Sequence, residues 1–312
     1  MTRRRAWIAA QLLFVAAVVA FLGYALRDAW ADAGPRIRDA DVGDLLIATA
    51  LLAAYYCLFV VGWQWILRAL HVRVSYAVAL QAEMASMLAK YVPGGIWTPA
   101  ARVVWLRKTG TDAATPLVLS SILLEAGLSA VSGVFVFIAG LAIVGGVDAP
   151  LLPLALFTAI VLVALHPRVF RWLATRVFRP FGGVELPQLP YRVLLGLLAF
   201  YAFSWVVGGA AFLFLVRALG GDAGAESVVF LGGTAAVGAI VAVLSIIAPS
   251  GLGVREASMY GLVLAVAPSG VALGAVVLNR IAITVVEGLL LLVGAFLWRR
   301  RRAALRSAPA TS

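Results

Sequence analysis

Cysteine and histidine are nearly missing from this chain: Cys57 is its one cysteine, and His71 and His166 are its two histidines, in 312 residues. A lone cysteine excludes an internal disulfide, and so thin a supply of ligands excludes a cysteine or histidine metal cluster. Charge is scarce too, at 12% of residues, and it leans one way, with 25 Lys+Arg against 14 Asp+Glu. Soluble domains draw about a quarter of their residues from the charged set. Apolar residues fill the gap, at 63% of the chain and a mean hydropathy of +1.03. Apolar stretches of about 18 residues or more read as membrane spans, and they recur along the whole sequence. The net charge of +11 does not mark a nucleic-acid binder, because the arginines gather between apolar segments, as in cytoplasmic loops. No nucleic acid is expected as a partner. Anionic membrane lipid is.

Arg3, Arg4 and Arg5 precede an apolar run from Trp7 to Leu26, longer than the core of a usual signal peptide and read as a retained first helix. A polar loop is expected from Arg27 to Asp44, then a span over 45–67 and an apolar arm over 76–92. Beyond a break, Thr98-Pro99 is a good helix start, with a capping hydroxyl before a proline, and a return helix runs to Arg107-Lys108. Spans follow over 116–144 and 151–165, then a basic loop over 166–192 with Arg168, Arg171, Arg176, Arg179 and Arg192 against Glu185 alone. A span over 193–216, a second arm over 227–248, its return over 254–267 and a last span over 271–298 complete the membrane part. Arg299 to Arg302 stop that span, and 303–312 reads as a loose tail. Trp7, Trp97, Trp105 and Trp298 read as interfacial anchors.

The two breaks organise the reading. Lys90-Tyr91-Val92-Pro93-Gly94-Gly95 and Ile247-Ala248-Pro249-Ser250-Gly251-Leu252-Gly253-Val254-Arg255-Glu256 set proline and glycine inside apolar sequence, where a helix loses backbone hydrogen bonds. Such breaks persist in a membrane only where the freed groups face protein or a wet cavity. The return arms are short for the roughly 20 residues a span needs, so both hairpins read as re-entrant. Six spans then gather the basic loops and both termini on the cytoplasmic side, in line with the positive-inside tendency. The expected fold is an all-α polytopic membrane protein of about six transmembrane helices with two re-entrant helical hairpins. It forms a single membrane domain over 1–312, with a first repeat over 43–146 and a second, inverted repeat over 193–298. Pro93 precedes Glu125 by almost the interval that separates Pro249 from Arg280, and Gly133 and Gly288 follow those charges at the same distance.

Return helices that begin at the breaks would aim N–H groups and positive dipole ends toward the midplane, where they suit an anion such as phosphate. The candidate substrate-binding residues are Pro93, Gly94, Gly95 and Arg102 at the first break, and Pro249, Ser250, Gly251, Gly253, Arg255 and Glu256 at the second. Snorkelling to the interface is the structural alternative for Arg102, and pairing with an acid is that for Arg255. Glu125 and Arg280 fall near the midplane, where a lone charge is costly, and are expected as partners across the repeat interface or as lid and substrate contacts. Glu83, Lys90 and Glu287 are candidates to line the cavity. No catalytic constellation, metal site or cofactor is expected.

With this span count, Pro93-Gly94-Gly95 and Pro249-Ser250-Gly251-Leu252-Gly253-Val254-Arg255-Glu256 resemble the transmembrane region of the lysylphosphatidylglycerol synthase/flippase family, over about residues 40 to 300. The second motif with its Arg-Glu is the more specific; the first has Trp97 where the second has Gly253. The resemblance implies an inner-membrane protein related to lipid flippases. The chain shows no soluble aminoacyl-transferase domain after its last span, which argues against synthesis of an aminoacyl lipid by this chain alone. Three functions compete. The preferred one is a transporter that moves an anionic phospholipid or polyprenyl-phosphate-linked lipid across the cytoplasmic membrane. The others are a non-catalytic accessory subunit partnering a lipid or cell-envelope biosynthesis enzyme, and an intramembrane lipid-modifying enzyme using Glu125 or Glu256 as acid/base.

Overall fold

In lipid a backbone must satisfy its own hydrogen bonds, so apolar segments fold as helices. The computed structural model describes residues 27–89, 97–111, 113–145, 151–181, 187, 189–245, 251 and 253–307, and among these it is helical with no strand. Eleven helices appear among the described residues: α1 Arg27–Arg38, α2 Val42–Ala69, α3 Tyr76–Ala89, α4 Trp97–Lys108, α5 Thr115–Val144, α6 Leu151–Leu165, α7 Pro167–Phe178, α8 Tyr191–Ala218, α9 Ser227–Leu244, α10 Val254–Val263 and α11 Ser269–Ser307. Five of them, α2, α5, α8, α9 and the stretch of α11 over Ser269–Arg300, are long and apolar enough to cross a membrane. A sixth span is reached if α6 and α7 count together, although they meet at a 78° bend. The chain is an all-α polytopic membrane protein. The run over 7–26 and the tip residues Lys90, Pro93, Gly94, Gly95, Pro249 and Ser250 lie outside the described residues.

Local chemistry sets the boundaries. The Asp41 carboxylate accepts the Asp44 N–H at 2.8 Å and caps α2, satisfying one of the free donors at a helix start. Pro116 sits in the first turn of α5, where its missing N–H costs nothing, and Gly145 ends that helix at φ 68°. Pro167 likewise opens α7 just after α6 ends, which lets the chain turn sharply there.

Four expectations are corrected. Residues expected as a polar loop from Arg27 form α1, because buried Ala33 and partly buried Ile37 give the segment an apolar side, which packs on α11. The basic loop over 166–192 contains α7, whose Phe170 and buried Ala174 pack on Leu117 and Leu119 of α5 while its arginines stay exposed. The expected tail does not begin at 303: α11 continues through the four arginines to Ser307, since Ala303, Ala304 and Leu305 are strong helix formers. The second arm ends at Leu244 rather than 248, yet its 18 residues are enough to count as a candidate span. The 14 residues of α3, 12 of α4 and 10 of α10 are too few to cross a core of about 30 Å at 1.5 Å per residue.

Two sets of four helices pack in matching ways. α2 meets α3 as α8 meets α9, α3 meets α4 as α9 meets α10, and α4 meets α5 as α10 meets α11. Within each set the first helix also touches the last, α2 with α5 and α8 with α11. Between the sets the arms are exchanged: α3 lies on α11 and α9 lies on α5, while α2 meets α11, α8 meets α5, and α2 and α8 pair with each other. Leu152, Leu156, Ile160 and Val163 on α6, and Ile281, Val285, Leu289 and Leu292 on α11, form exposed apolar surface suited to lipid.

Small residues allow the closest helix contacts, the usual device when lipid removes the hydrophobic drive for helices to associate. A Cβ on Gly233 of α9 would lie 2.3 Å from the Phe137 Cα of α5, and one on Gly140 of α5 would lie 2.4 Å from the Phe230 Cα of α9. Gly288 on α11 has open space at the same position. The matching intervals of Gly133 and Gly288 therefore do not extend to packing, since a Cβ on Gly133 would meet Ala236 at 2.4 Å. Gly233→Val should lower stability by about 1–3 kcal/mol through overpacking, whereas Gly288→Ala should stay within about 0.5 kcal/mol of wild type. Thermal unfolding of the detergent-purified variants measures both, and equal effects would contradict the close α5–α9 contact.

Candidate functional site

The first break is flanked by a buried ion cluster drawn from three helices. Glu83 and Ser86, three residues apart on one face of α3, both point at Arg102, which reaches them from the return helix α4. The guanidinium donates through Nη2 to Glu83 Oε1, through Nη1 to Glu125 Oε2 of α5 at 2.5 Å, and through Nε to Ser86 Oγ at 3.4 Å. Its Cζ lies 4.7 Å from the ring centre of Trp63 on α2, and the Trp63 indole N–H donates to Ser121 Oγ at 2.9 Å. Glu83, Arg102 and Glu125 are 3%, 6% and 6% exposed, so this is an interior arrangement and not a surface pair. Arginine suits it because a planar, permanently charged fork can serve two carboxylates at once.

Three expectations change here. Arg102 neither snorkels nor stands open for a phosphate, because two carboxylates already engage it. Glu125 does not pair with Arg280; its partner is Arg102, in its own set of helices. Arg280 of α11 instead approaches Glu256 of α10 at 3.7 Å, with both side chains partly exposed. In each set, then, the return helix is tied to the long span that follows it by one ion pair, and the signs are reversed between sets. Glu83, expected to line the cavity, belongs to the buried cluster.

The second break is laid out by glycine. Gly251 and Gly253 have φ of 67° and 82°, a region costly for any residue with a Cβ, and a Cβ on Gly251 would also lie 2.2 Å from that of Ala242. The turn they make starts α10, where the Glu256 carboxylate accepts the Gly253 N–H at 2.8 Å. A carboxylate in a first turn also suits the dipole there. Arg255 is on the same first turn, half-buried, with its stem against Gly238 of α9.

On α2 and α8 lies an aromatic group not singled out in the sequence. Tyr55 packs on Tyr56, Phe59 and Trp205, joining mid-α2 to mid-α8. The Tyr56 hydroxyl donates to Glu287 Oε1 at 2.9 Å, which places Glu287, 4% exposed, beside α2. Tyr55 lies within electrostatic reach of both Arg255 and Glu125, and Tyr56 within reach of Arg255. Tyrosine usually collects at the membrane interface, so two in the middle of a span were the available signal. Trp105 and Trp298, read as anchors, pack on each other at 6.0 Å between ring centres and so join α4 to α11. Among the described residues no group of three or more histidine, cysteine or acidic side chains could hold a metal ion.

The arrangement can fix two short return helices against long spans and present one arginine and a helix start to a central aromatic region. A family model described as Lysylphosphatidylglycerol synthase TM region matches residues 8–290. No curated protein matches the chain.

The pairing orders the cost of single changes. Arg102→Gln strands two buried carboxylates and should cost about 3–5 kcal/mol, the range for removing one partner of a buried pair. Glu125→Gln leaves Arg102 a carboxylate and should cost less; added to Arg102→Gln, it should recover part of the loss. Glu125→Gln and Arg280→Gln should instead add within about 0.5 kcal/mol. Denaturation of the single and double variants measures these terms, and stronger coupling of Glu125 to Arg280 than to Arg102 would contradict the pairing.

Proposed function

Because the chain belongs to the lysylphosphatidylglycerol synthase TM region family, we propose that it moves an anionic phospholipid or a polyprenyl-phosphate-linked lipid across the cytoplasmic membrane, with the lipid phosphate held at the broken helices. The observation that carries this reading is the second break. There α10 starts at two left-handed glycines with Arg255 on its first turn. Free N–H groups at a helix start, the dipole and a guanidinium all favour phosphate, and a site sheltered from water strengthens each of them.

The two breaks divide the labour. Arg102 is engaged by carboxylates, so it fixes the first return helix to α3 and α5, and the first tip would contribute backbone N–H groups from Gly94 and Gly95. Arg255 faces the tyrosine group of α2 and is the side chain assigned to the phosphate. Glu256 and Arg280 hold α10 to α11. The reversed ion pairs and the matching helix contacts support two units of inverted orientation that share a site near the midplane. The charge bias supports a cytoplasmic side for both termini and the arginine-rich 166–192 segment.

Reconstitution in liposomes with labelled lipids of different headgroups tests the proposal. Anionic lipids should be moved in preference to zwitterionic ones. Arg255→Lys should slow their movement about tenfold, the worth of one lost charge-assisted hydrogen bond of about 1.5 kcal/mol. Gly251→Val should abolish it while the protein still inserts, because both the φ and the Ala242 contact exclude a side chain. Unchanged transport by Arg255→Ala would remove the second break from the site.

A further inference from the structure

The cluster around Arg102 holds two carboxylates and one guanidinium. With both acids ionised it would carry one uncompensated negative charge in the interior of a membrane protein, where a lone charge is costly. Its hydrogen bonding is also incomplete. Arg102 takes one oxygen from each acid, and the others, Glu83 Oε2 and Glu125 Oε1, are buried without a hydrogen-bond partner among the described residues. We propose that the Glu83–Arg102–Glu125 cluster binds one exchangeable proton, shared between its two carboxyls, and that this proton is the ion coupled to lipid movement. The coupling rests on the lipid-transport reading above; the proton site does not.

Each neighbouring helix contributes to the setting. α2 supplies the Trp63 ring and, at longer range, the Tyr55 phenol; α3 supplies Ser86; α8 supplies Tyr201, whose hydroxyl is buried without a partner among the described residues and lies within electrostatic reach of all three charges. Arg255 of α10 acts on Tyr55 and Tyr56, and Glu287 of α11 on Tyr56. Among the described residues Arg102 is the one cation in contact with the acids; Lys90 lies outside them. The proton matters mechanically because Arg102 ties α4 to α3 and α5 at once. With the proton bound, the guanidinium faces one anion and one neutral acid; with it released, two anions grip it. Protonation therefore sets how firmly the first return helix is held, and a lipid phosphate arriving nearby would favour the protonated, neutral cluster.

Infrared spectroscopy of the protein in lipid nanodiscs tests the site without any transport assay. A protonated carboxyl has a C=O stretch distinct from that of a carboxylate, and it shifts in D2O. The Glu287→Gln protein is used throughout to remove the other buried acid of the central region. At neutral pH it should show the protonated band, and that band should be lost in Glu83→Gln and equally in Glu125→Gln, since either change leaves one acid for one arginine. Loss in only one of the two would overturn the shared proton. Absence of the band from the well-folded Glu287→Gln protein would overturn the site without needing either further variant, as would a band that emerges only in Lys90→Gln, which would assign the second positive charge to that lysine. If the band behaves as expected but lipid movement in liposomes ignores an imposed pH gradient, the site stands and the coupling falls.

Discussion

Arg102 held between two buried carboxylates is the interaction on which the first half of the molecule depends. Its side chain brings together an arm too short to cross the membrane, a return helix that is shorter still, and a long span. The short helices α3 and α4 share a buried apolar cluster with α2 and α5 through Val78, Leu80, Met84, Val103 and Leu106, but apolar packing alone sets a position weakly where lipid competes for the same contacts. A charge-assisted fork does what packing cannot: it fixes both distance and angle, and it penalises any slip that would leave a charge unpaired. The Trp63 ring beneath the guanidinium and the Ser121 hydroxyl behind the indole extend that constraint to α2.

The second half solves the same problem with the signs exchanged. There the short helix carries the acid, Glu256, and the long span carries the base, Arg280; the pair is longer and partly exposed, so α10 is held less tightly than α4. Part of the Glu256 carboxylate is also spent on capping Gly253. Among the described residues this leaves Arg255 less committed than Arg102 or Arg280, which suits the proposed site for a transient anionic headgroup. A cation locked in a tight buried pair would have to be freed before each binding event, at a cost of several kcal/mol.

Much of the fold was legible in the sequence because membrane helices are written in long apolar runs, and both breaks announced themselves through proline and glycine. Thr98-Pro99 located the return helix to within two residues, since among the described residues α4 begins at Trp97. The pairing of charges was not legible. Position along the spans pairs Glu125 with Arg280 near the midplane, but the sequence does not say which helix face meets which, and nothing in the spacing of Glu83 shows that it is half of the answer to Arg102. The helices α1 and α7 were hidden for another reason. Their charges suggested loops, while the apolar positions Val169, Phe170, Leu173, Ala174 and Val177 kept a helical spacing that places a short helix against the body of the protein.

The proposed function can be met most directly at the tyrosine group of α2, which lies within electrostatic reach of Arg255 and of Glu125 in the Arg102 cluster. If lipid passes between the two broken helices, a headgroup must visit this region in mid-membrane, where no headgroup belongs in an undisturbed bilayer. The direct measurement uses an anionic phospholipid carrying a photoreactive group on its headgroup, incorporated with the protein into nanodiscs and followed by mapping of the covalent adducts. Adducts are expected on α2 at Tyr55 and Tyr56 and on the first turn of α10, and they should be lost in Arg255→Ala. Adducts confined to the helix ends, unchanged by Arg255→Ala, would contradict a headgroup site between the breaks.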